Sequence, residues 1–237
     1  SWLGPNYQIT AQVNSVNPGG EAQKPHRDYH LGFMSTEQSA NFPPNVHTIS
    51  QFLTLQGAIA HCDITIDSGP TLFLPYSQQY KNGYIDFTKE KFQKYFNENS
   101  IQIEMNKGDA IFFNPAVMHG AGNNRTRSVK RIVNLLQISS AFGRAMETVN
   151  RKKMTEKLYP HLLELVLKNK MPFRLIENVV GASSEGYSFP TNLDLNPPVE
   201  GKAPKNQAMI IIESLKAKKE PTLVLEELKL LDIRQFS

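Results

Sequence analysis

Short β-rich segments separated by turn-forming residues fill about the first 140 residues, and this spacing constrains the fold more than any other feature. β-Branched and apolar residues dominate each segment, and glycine, proline, asparagine or serine separates it from the next. The predicted strands lie in 6–16, 47–65 (with Gly57 as a bulge or turn), 68–77, 100–105, 110–113 and 131–139. We count about eight short strands, and such a series is typical of a closed barrel or a jelly roll.

Beyond residue 143 the pattern becomes helical. In "HLLELVLK" the apolar residues recur with the 3.6-residue period of an amphipathic helix. The predicted elements are a helix over 144–169 divided in two by Pro160, a loop rich in Gly, Ser, Pro and Asn over 178–205, and helices over 206–217 and 221–231. Pro221 suits the first position of the last helix.

Composition excludes several classes of function. The net charge of +4 is small and dispersed, which argues against a nucleic-acid-binding protein. No apolar run approaches about 18 residues, so we predict no membrane span, and no signal peptide opens the chain. The single cysteine, Cys62, rules out an internal disulfide and fits a reducing compartment, so we expect a cytoplasmic protein. Ser1 rather than Met begins the sequence, which leads us to expect a fragment or a processed form.

The sequence "HRDYH" concentrates metal-ligand chemistry in five residues. On a strand, His26, Asp28 and His30 point to one face, and Arg27 and Tyr29 to the other. Neighbours on one face lie roughly 6.6 Å apart, close enough to share a metal, but the first and third lie roughly 13 Å apart. The stretch therefore supplies two ligands, and a third must come from a distant strand.

The candidates for the third ligand are His47, His61, His119 and His161. His119 follows the apolar strand "AIFF", and its neighbours Gly120 and Gly122 permit close approach and unusual dihedral angles. We interpret His47 as a loop residue without a partner and His161 as a surface or helix-capping residue. His119 is therefore the favoured third ligand.

A second His-x-Asp pair, His61 and Asp63, competes with His26 and Asp28. It lies inside a long apolar run and lacks the flanking proline and polar neighbours, so we favour the first pair. Two histidines and one carboxylate on one face of a metal leave three positions open, as in non-haem Fe(II) oxygenases.

Such an oxygenase also needs a cation for a dicarboxylate co-substrate. Arg131 opens the strand that follows His119 by twelve residues, and its planar guanidinium matches a carboxylate. Lys130 competes with it, whereas Arg125 and Arg127 lie in the polar "NNRTRS" loop and are interpreted as solvated.

Taken together, these motifs resemble the phytanoyl-CoA dioxygenase family of Fe(II)/2-oxoglutarate-dependent oxygenases. "PHRDYH" is similar to the family's His-x-Asp strand, and "DSGPTLFLPYSQQY" to its Asn-Gly-x-Leu-x-x-x-Pro-Gly-Ser-His turn. "NKGDAIFFNPAVMHGAGNN" resembles its Gly-Asp-x-x-x-Phe and His-Gly-Ser-Gly-x-Asn segment, and "RIVNLLQISS" its arginine-bearing strand. The motifs occur in the family's order over roughly residues 6–140.

Four departures from the family pattern stand out. "PYSQQ" replaces Pro-Gly-Ser-His, which places Tyr76 and Gln78 at the predicted pocket rim, and Ala121 replaces a frequent serine. The arginine comes one residue later than usual, which keeps Lys130 as a rival to Arg131. Only 25 residues precede the His-x-Asp pair, fewer than in most relatives.

The resemblance implies a mainly β fold with α: a double-stranded β-helix (jelly roll) plus C-terminal helices. We expect a catalytic core over residues 1–142 and a helical and loop extension over 143–237 that packs on this core, a single domain overall. A monomer or a homodimer is expected.

The resemblance also implies a hydroxylase in which His26, Asp28 and His119 bind Fe(II). Arg131 and Asn14 are assigned to the co-substrate 2-oxoglutarate. O2 and a small-molecule substrate complete the reaction, with succinate and CO2 as co-products. Related halogenases replace the carboxylate with a small residue, so Asp28 favours hydroxylation. The alternatives are a catalytically silent jelly-roll binding protein and a cupin-like metal enzyme, and Arg131 argues against the second.

The sequence leaves the substrate open. Lys24, Arg27 and Tyr29 are placed near the predicted mouth, where they would favour an anionic molecule. The loop over 178–205 is either a lid or a surface connection.

Overall fold

The computed structural model describes residues 2–28, 34–143, 147–186, 192–198, 200 and 202–235. The chain forms two compact units, one comprising Ser1–Leu3 and Ile9–Glu147 and the other Gly4–Gln8 and Thr148–Ser237. That residues 143–237 pack on the core to make a single domain stays a prediction.

Antiparallel pairing organises the first unit into two sheets. The strands are β1 (Gln8–Val16), β2 (Thr54–Ala60), β3 (Thr71–Phe73), β4 (Ile101–Gln102), β5 (Ala110–Phe113), β6 (His119–Ala121) and β7 (Arg131–Ser139). One sheet has the strand order β1-β7-β2-β5 and the other β4-β3-β6. The pairings of β2 with β5 and β7, and of β3 with β4 and β6, are antiparallel.

Helices occur in both units. In the first unit they are α1 (Thr36–Ala40), α2 (Pro44–Ser50), α3 (Gly83–Asp86) and α4 (Glu90–Asn99), with 3-10 turns at Ile66–Ser68 and Ser77–Gln79. In the second they are α5 (Arg151–Leu167), α6 (Phe173–Ser183), α7 (Gln207–Lys216) and α8 (Pro221–Gln235). The fold is therefore mixed α/β, with two antiparallel sheets and C-terminal helices.

The register of β2 with its two neighbouring strands determines which side chains share the inner face of the larger sheet. Gln56 lies opposite Phe113 on one side and Gln137 on the other, and Ala58 lies opposite Ile111 and Leu135. Because side chains alternate along a strand, Gln56 and Ala58 share one face of the sheet. Further along the sheet, a buried apolar cluster of Ala58, Ala60, Ile64 and Val133 forms.

Two predictions for the first unit are corrected. The strand predicted over 47–65 is wrong at its start, because residues up to Ser50 belong to α2, which Pro44 begins at a position that favours proline. Seven strands rather than about eight form in the described part of the chain. His26 contributes an isolated bridge to His119 and belongs to no named strand.

In the second unit, the prediction that Pro160 divides a helix is wrong. α5 continues through Pro160, beginning after Asn150, whose side chain caps it by accepting from the backbone N–H of Lys153. Tyr159 and Leu163 beside the proline are buried in an apolar cluster with α6, α7 and α8, which offsets the lost backbone bond.

The predicted loop over 178–205 is also shorter than expected, since α6 extends to Ser183. Residues 187–191, 199 and 201, on which the lid prediction falls, lie outside the described residues. The last two predicted helices are confirmed as α7 and α8, and Pro221 occupies the first position of α8.

Within the ranges that the structure describes, every helix is too short or too polar to cross a membrane.

Candidate metal centre and its cavity

A reciprocal backbone pair holds His26 and His119 side by side. The N–H of His26 donates to the carbonyl of His119 at 2.8 Å, and the N–H of His119 donates to the carbonyl of His26 at 2.9 Å. The ring centroids lie 4.6 Å apart. This bridge joins two positions 93 residues apart in the sequence, and so sets the separation of the imidazoles before any metal binds.

The backbone also orients both rings. Nδ1 of His26 lies 2.9 Å from the carbonyl oxygen of Lys24, and Nδ1 of His119 lies 2.8 Å from that of Val117. A carbonyl oxygen only accepts, so Nδ1 carries the proton in each neutral ring and Nε2 presents a lone pair. Burial lowers the pKa of His119 to about 4, with Asp28 opposing the shift and His26 adding to it. His119 is therefore neutral near pH 7, the form that binds metals.

Asp28 completes the cluster. Its Oδ1 lies 3.5 Å from Nε2 of His26, and its Oδ2 lies 3.7 Å from Nε2 of His119. The side-chain amide of Gln56 donates a hydrogen bond to the same Oδ2. The potential ligand atoms of the three residues all lie within 4.8 Å of one another.

This group has the composition and spacing of a divalent metal site. Adjacent ligands at right angles, each about 2.1 Å from the metal, lie about 3 Å apart, slightly closer than these atoms. The hydrogen bonds at Nδ1 and at Oδ2 are the outer contacts that commonly orient metal ligands in proteins. The structure therefore brings together the three residues that the sequence predicts as ligands, and they fit a site that binds one face of the ion.

A single turn anchors both ligand-bearing segments. The hydroxyl of Ser77 donates to the carbonyl of Leu74 and accepts from the N–H of Met118, each at 2.7 Å. Its carbonyl accepts a hydrogen bond from Arg27. Arg27 lies between His26 and Asp28, and Met118 precedes His119, so this turn fixes both segments.

The placement of Arg27 near the mouth of the site is wrong. Arg27 is buried, lies 5.6 Å from the ring centroid of Tyr84, and donates to the carbonyl of Tyr80 at 3.1 Å. Burial lowers the pKa of Arg27 to about 10, and Tyr84 and Tyr80 oppose the shift. Arg27 therefore has an internal structural role. Lys24 is exposed and lines neither of the two cavities of the first unit.

The triad faces a cavity of about 500 Å³ lined by residues of both sheets. Phe113 of β5 packs against His119 and Phe73 with centroid distances of 4.8 and 4.9 Å.

The lining also includes Gly57, where a Cβ would lie 2.6 Å from the ring of Phe112. Gly57 is a paired residue within β2, so its prediction as a bulge or turn is wrong.

Arg131 lines the same cavity. It is buried, its Nε has no hydrogen-bond partner, and no carboxylate of the described residues forms an ion pair with it. Burial lowers the pKa of Arg131, and Cys62 opposes the shift. Because burying an unpaired charge is costly, this arrangement points to an anionic ligand inside the cavity.

The other candidates for this cation lie elsewhere. Lys130, Arg125 and Arg127 are exposed and do not line the cavity. Asn14 lies on β1 and lines it, as does Ala121 of β6. Asn14 and Arg131 are thus placed in one cavity, while their binding of 2-oxoglutarate stays a prediction.

The three other histidines among the described residues lie outside the cluster. His61 and Asp63 are exposed, and Asp63 accepts from the N–H of Lys107 at 2.8 Å. His161 is on the surface of α5. His47 is buried in α2, not placed in a loop, and stacks on Tyr84.

The structure does not place Tyr29, His30, Tyr76 or Gln78 in this site. Tyr29 and His30 are outside the described residues. Tyr76 adopts a left-handed conformation and lines a second cavity of about 260 Å³, and Gln78 lines neither cavity. Their assignment to the rim of the main pocket is therefore wrong.

Sequence reasoning missed Gln56 and the structural role of Ser77. Gln56 is the one amide in the run "FLTLQGAIA", and a glutamine in an otherwise largely apolar strand is a signal of a polar site. Ser77 lies in the turn that the motif comparison quotes, but its contacts join residues far apart in the chain.

The comparisons with known proteins agree with this geometry. The family model for phytanoyl-CoA dioxygenase (PhyH) matches residues 1–132. The chain is 27% identical to Dioxygenase ALT11 of Alternaria alternata over 173 residues, covering 70% of this chain and 45% of that protein. It is 25% identical to Dioxygenase trt7 of Aspergillus terreus over 139 residues, covering 59% and 43%. The chain thus spans less than half the length of these curated relatives.

Solved structures with local similarity include EctD from S. alaskensis with bound Fe, at 17% identity and a TM-score of 0.44, covering 61% of this chain and 49% of that one. Another is the non-heme alpha ketoglutarate dependent epimerase SnoN from nogalamycin biosynthesis, at 16% identity and a TM-score of 0.42, covering 57% and 50%.

Proposed function

The chain belongs to the phytanoyl-CoA dioxygenase family, whose model matches more than half of its residues, and we propose that it is a non-haem Fe(II)- and 2-oxoglutarate-dependent oxygenase. The reaction is hydroxylation of a small molecule, with succinate and CO2 as co-products. The observation that carries the proposal is the buried Arg131 in the same cavity as His26, Asp28 and His119, whose Nε lacks a hydrogen-bond partner among the described residues.

His26, Asp28 and His119 would hold Fe(II). Their two imidazoles and one carboxylate suit iron and leave coordination positions for other ligands. When bound, Fe(II) couples the reduction of O2 to the oxidative decarboxylation of 2-oxoglutarate, and one oxygen atom enters the substrate. The carboxylate of Asp28 would take up a coordination position that a halide would otherwise need, which supports hydroxylation over halogenation.

The protein's own residues bind and orient the reactants. Arg131 pairs with the distal carboxylate of 2-oxoglutarate, and Asn14 adds a polar contact from β1. Ile64, Met105 and Val133, which belong to one apolar cluster, line the cavity and make part of its wall apolar. A charge-assisted pair in such a partly dry site is stronger than one in water.

The two sheets also support the finer fold proposal, a double-stranded β-helix. The larger sheet has four strands. The smaller sheet has three strands, and the bridge from His26 to His119 places a fourth chain segment beside β6. Each sheet then has four extended segments, as a double-stranded β-helix requires. In this arrangement the ligands come from the smaller sheet and Arg131 from the larger one.

The experiment is measurement of succinate from 2-oxoglutarate with and without Fe(II). The wild-type protein should form succinate only with Fe(II), and the His119→Ala variant should form none. His61→Ala, which removes an exposed histidine outside the cluster, should match the wild type. Absence of succinate from the wild-type protein with Fe(II) would instead favour the alternative of a catalytically silent binding protein, and equal succinate from wild type and His119→Ala would show that the triad does not carry the reaction.

A further inference from the structure

Two glutamines beside the metal centre present buried acceptor atoms. Gln56 of β2 and Gln137 of β7 are directly opposed in the antiparallel register, and both line the cavity. The Oε1 atom of each is buried, and neither has a hydrogen-bond partner in the described part of the chain.

The orientation of one amide is fixed by chemistry. Nε2 of Gln56 donates to the carboxylate of Asp28, and a reversed amide would place oxygen against oxygen there. Oε1 of Gln56 therefore remains the acceptor that lacks a donor. Buried polar atoms in folded proteins nearly always have partners, so Oε1 of Gln56 points to a ligand that supplies a hydrogen-bond donor, and the opposed amide of Gln137 offers the same ligand a second hydrogen-bonding group.

The charges lining the cavity narrow the class of ligand further. Glu21 and Glu147 line it, and the latter accepts a hydrogen bond from Gln12. Arg131 is the one lysine or arginine among the described lining residues, and the proposed function assigns it to 2-oxoglutarate. A second anion would thus meet carboxylates and acceptor oxygens without a cation of its own.

We infer that the substrate is a neutral or cationic molecule that presents a hydroxyl or ammonium group to Gln56 and Gln137, and that molecules that would place an anionic group there are rejected. The inference rests on the proposed function and adds the substrate class. Phe73, Leu136 and Phe113 supply apolar surface for the carbon skeleton of such a molecule.

The test uses the full chain loaded with Mn(II) and saturated with 2-oxoglutarate under anaerobic conditions. Mn(II) broadens the NMR signals of any small molecule that binds near it, and Zn(II)-loaded protein is the diamagnetic reference. The probes are three cyclohexane derivatives of similar size, carrying a hydroxymethyl, an aminomethyl or a carboxylate group. The hydroxymethyl or the aminomethyl probe, or both, should be broadened, and the carboxylate should not.

A variant pair ties the effect to the glutamines. Gln137→Leu removes one acceptor without touching Asp28 and should weaken binding of the broadened probe about fivefold, the loss expected for one hydrogen bond. Gln51→Leu, which replaces a half-buried glutamine outside the cavity, should leave binding unchanged.

The outcomes separate this inference from the proposed function. The substrate class would be overturned by any one of three results, each obtained while the signals of 2-oxoglutarate are still broadened. These results are broadening of the carboxylate probe, no broadening of either donor probe, or unchanged binding in Gln137→Leu. Absence of broadening of 2-oxoglutarate would overturn the proposed function.

Discussion

The side-chain amide of Gln56 donates a hydrogen bond to Oδ2 of Asp28 across the gap between β2 and the His26 segment. The carboxylate is thereby held with Oδ1 toward His26 and Oδ2 toward His119. An outer contact of this kind restricts how a carboxylate binds a metal.

Gln56→Leu should weaken the binding of Fe(II) or Co(II) by about 10- to 100-fold, the usual effect of losing an outer-shell partner of a ligand. Anaerobic metal titration measures it. Gln137→Leu is the matched control, because it removes the opposed glutamine from the same cavity without contacting Asp28. Equal affinity in the two variants would contradict a positioning role for Gln56.

His119→Ala should abolish stoichiometric binding of one divalent ion per chain, because it removes a buried imidazole of the triad. Isothermal titration under anaerobic conditions would measure the loss. His61→Ala should bind metal like the wild type. Retention of one tightly bound ion in His119→Ala would show that the ligand set is different.

Arg131→Ala should weaken 2-oxoglutarate binding by roughly 30-fold or more, since truncating one partner of a buried charge pair costs at least about 2 kcal/mol. Lys130→Ala removes the neighbouring, exposed cation and should have little effect. The affinities follow from titration of the metal-loaded protein. The reverse order of effects would mean that Lys130 binds the co-substrate.

Gly83→Ala should destabilise the fold by about 1–3 kcal/mol, the range for overpacking a filled interior. A Cβ at Gly83 would lie 1.8 Å from Cζ of Arg27, which is buried and bonded. Gly181→Ala in α6 meets nothing within 4 Å and should be neutral or stabilising. Chemical denaturation of both variants gives the comparison, and equal stabilities would show that Arg27 moves freely.

Asp86 should make the stability depend on acidity. Hydrogen bonds lower the pKa of Asp86, with the bond from Lys89 the larger cause and the bond from Tyr80 the next. The ionised carboxylate therefore contributes to the free energy of unfolding above the unfolded-state pKa, and this contribution is lost as the pH falls through the lower folded-state pKa. Asp86→Asn should therefore be less stable than the wild type at pH 7, and this difference should shrink below about pH 4. A difference that stays constant from pH 7 to pH 3 would exclude this ionic contribution.

The proximity of the candidate ligands His26 and Asp28 was predictable because alternation along an extended stretch is a local property. His26 and Asp28 follow from spacing alone, and "AIFF" and "RIVNLLQIS" form β5 and β7 with the predicted bounds. The placement of Arg131 on the inner face follows from the same alternation.

What the sequence did not reveal depends on register between distant strands. Gln56 reaches Asp28 only because β2 pairs with both β5 and β7, and nothing local to Gln56 specifies that pairing. Arg27 is predicted near the mouth of the site, but it is buried and donates to the carbonyls of Ser77 and Tyr80, which lie close to it only in the folded chain. Tertiary contacts also keep α5 helical through Pro160.

The turn at Ser77 has a consequence for the length of the proposed co-substrate. Its residue bonds to both segments that carry the candidate ligands, so one turn positions His26, Asp28 and His119. Arg131 belongs to the other sheet. Under the proposed function, the position of this turn would set the span between metal and guanidinium, and with it whether a four-carbon or a five-carbon 2-oxo diacid would bridge the two.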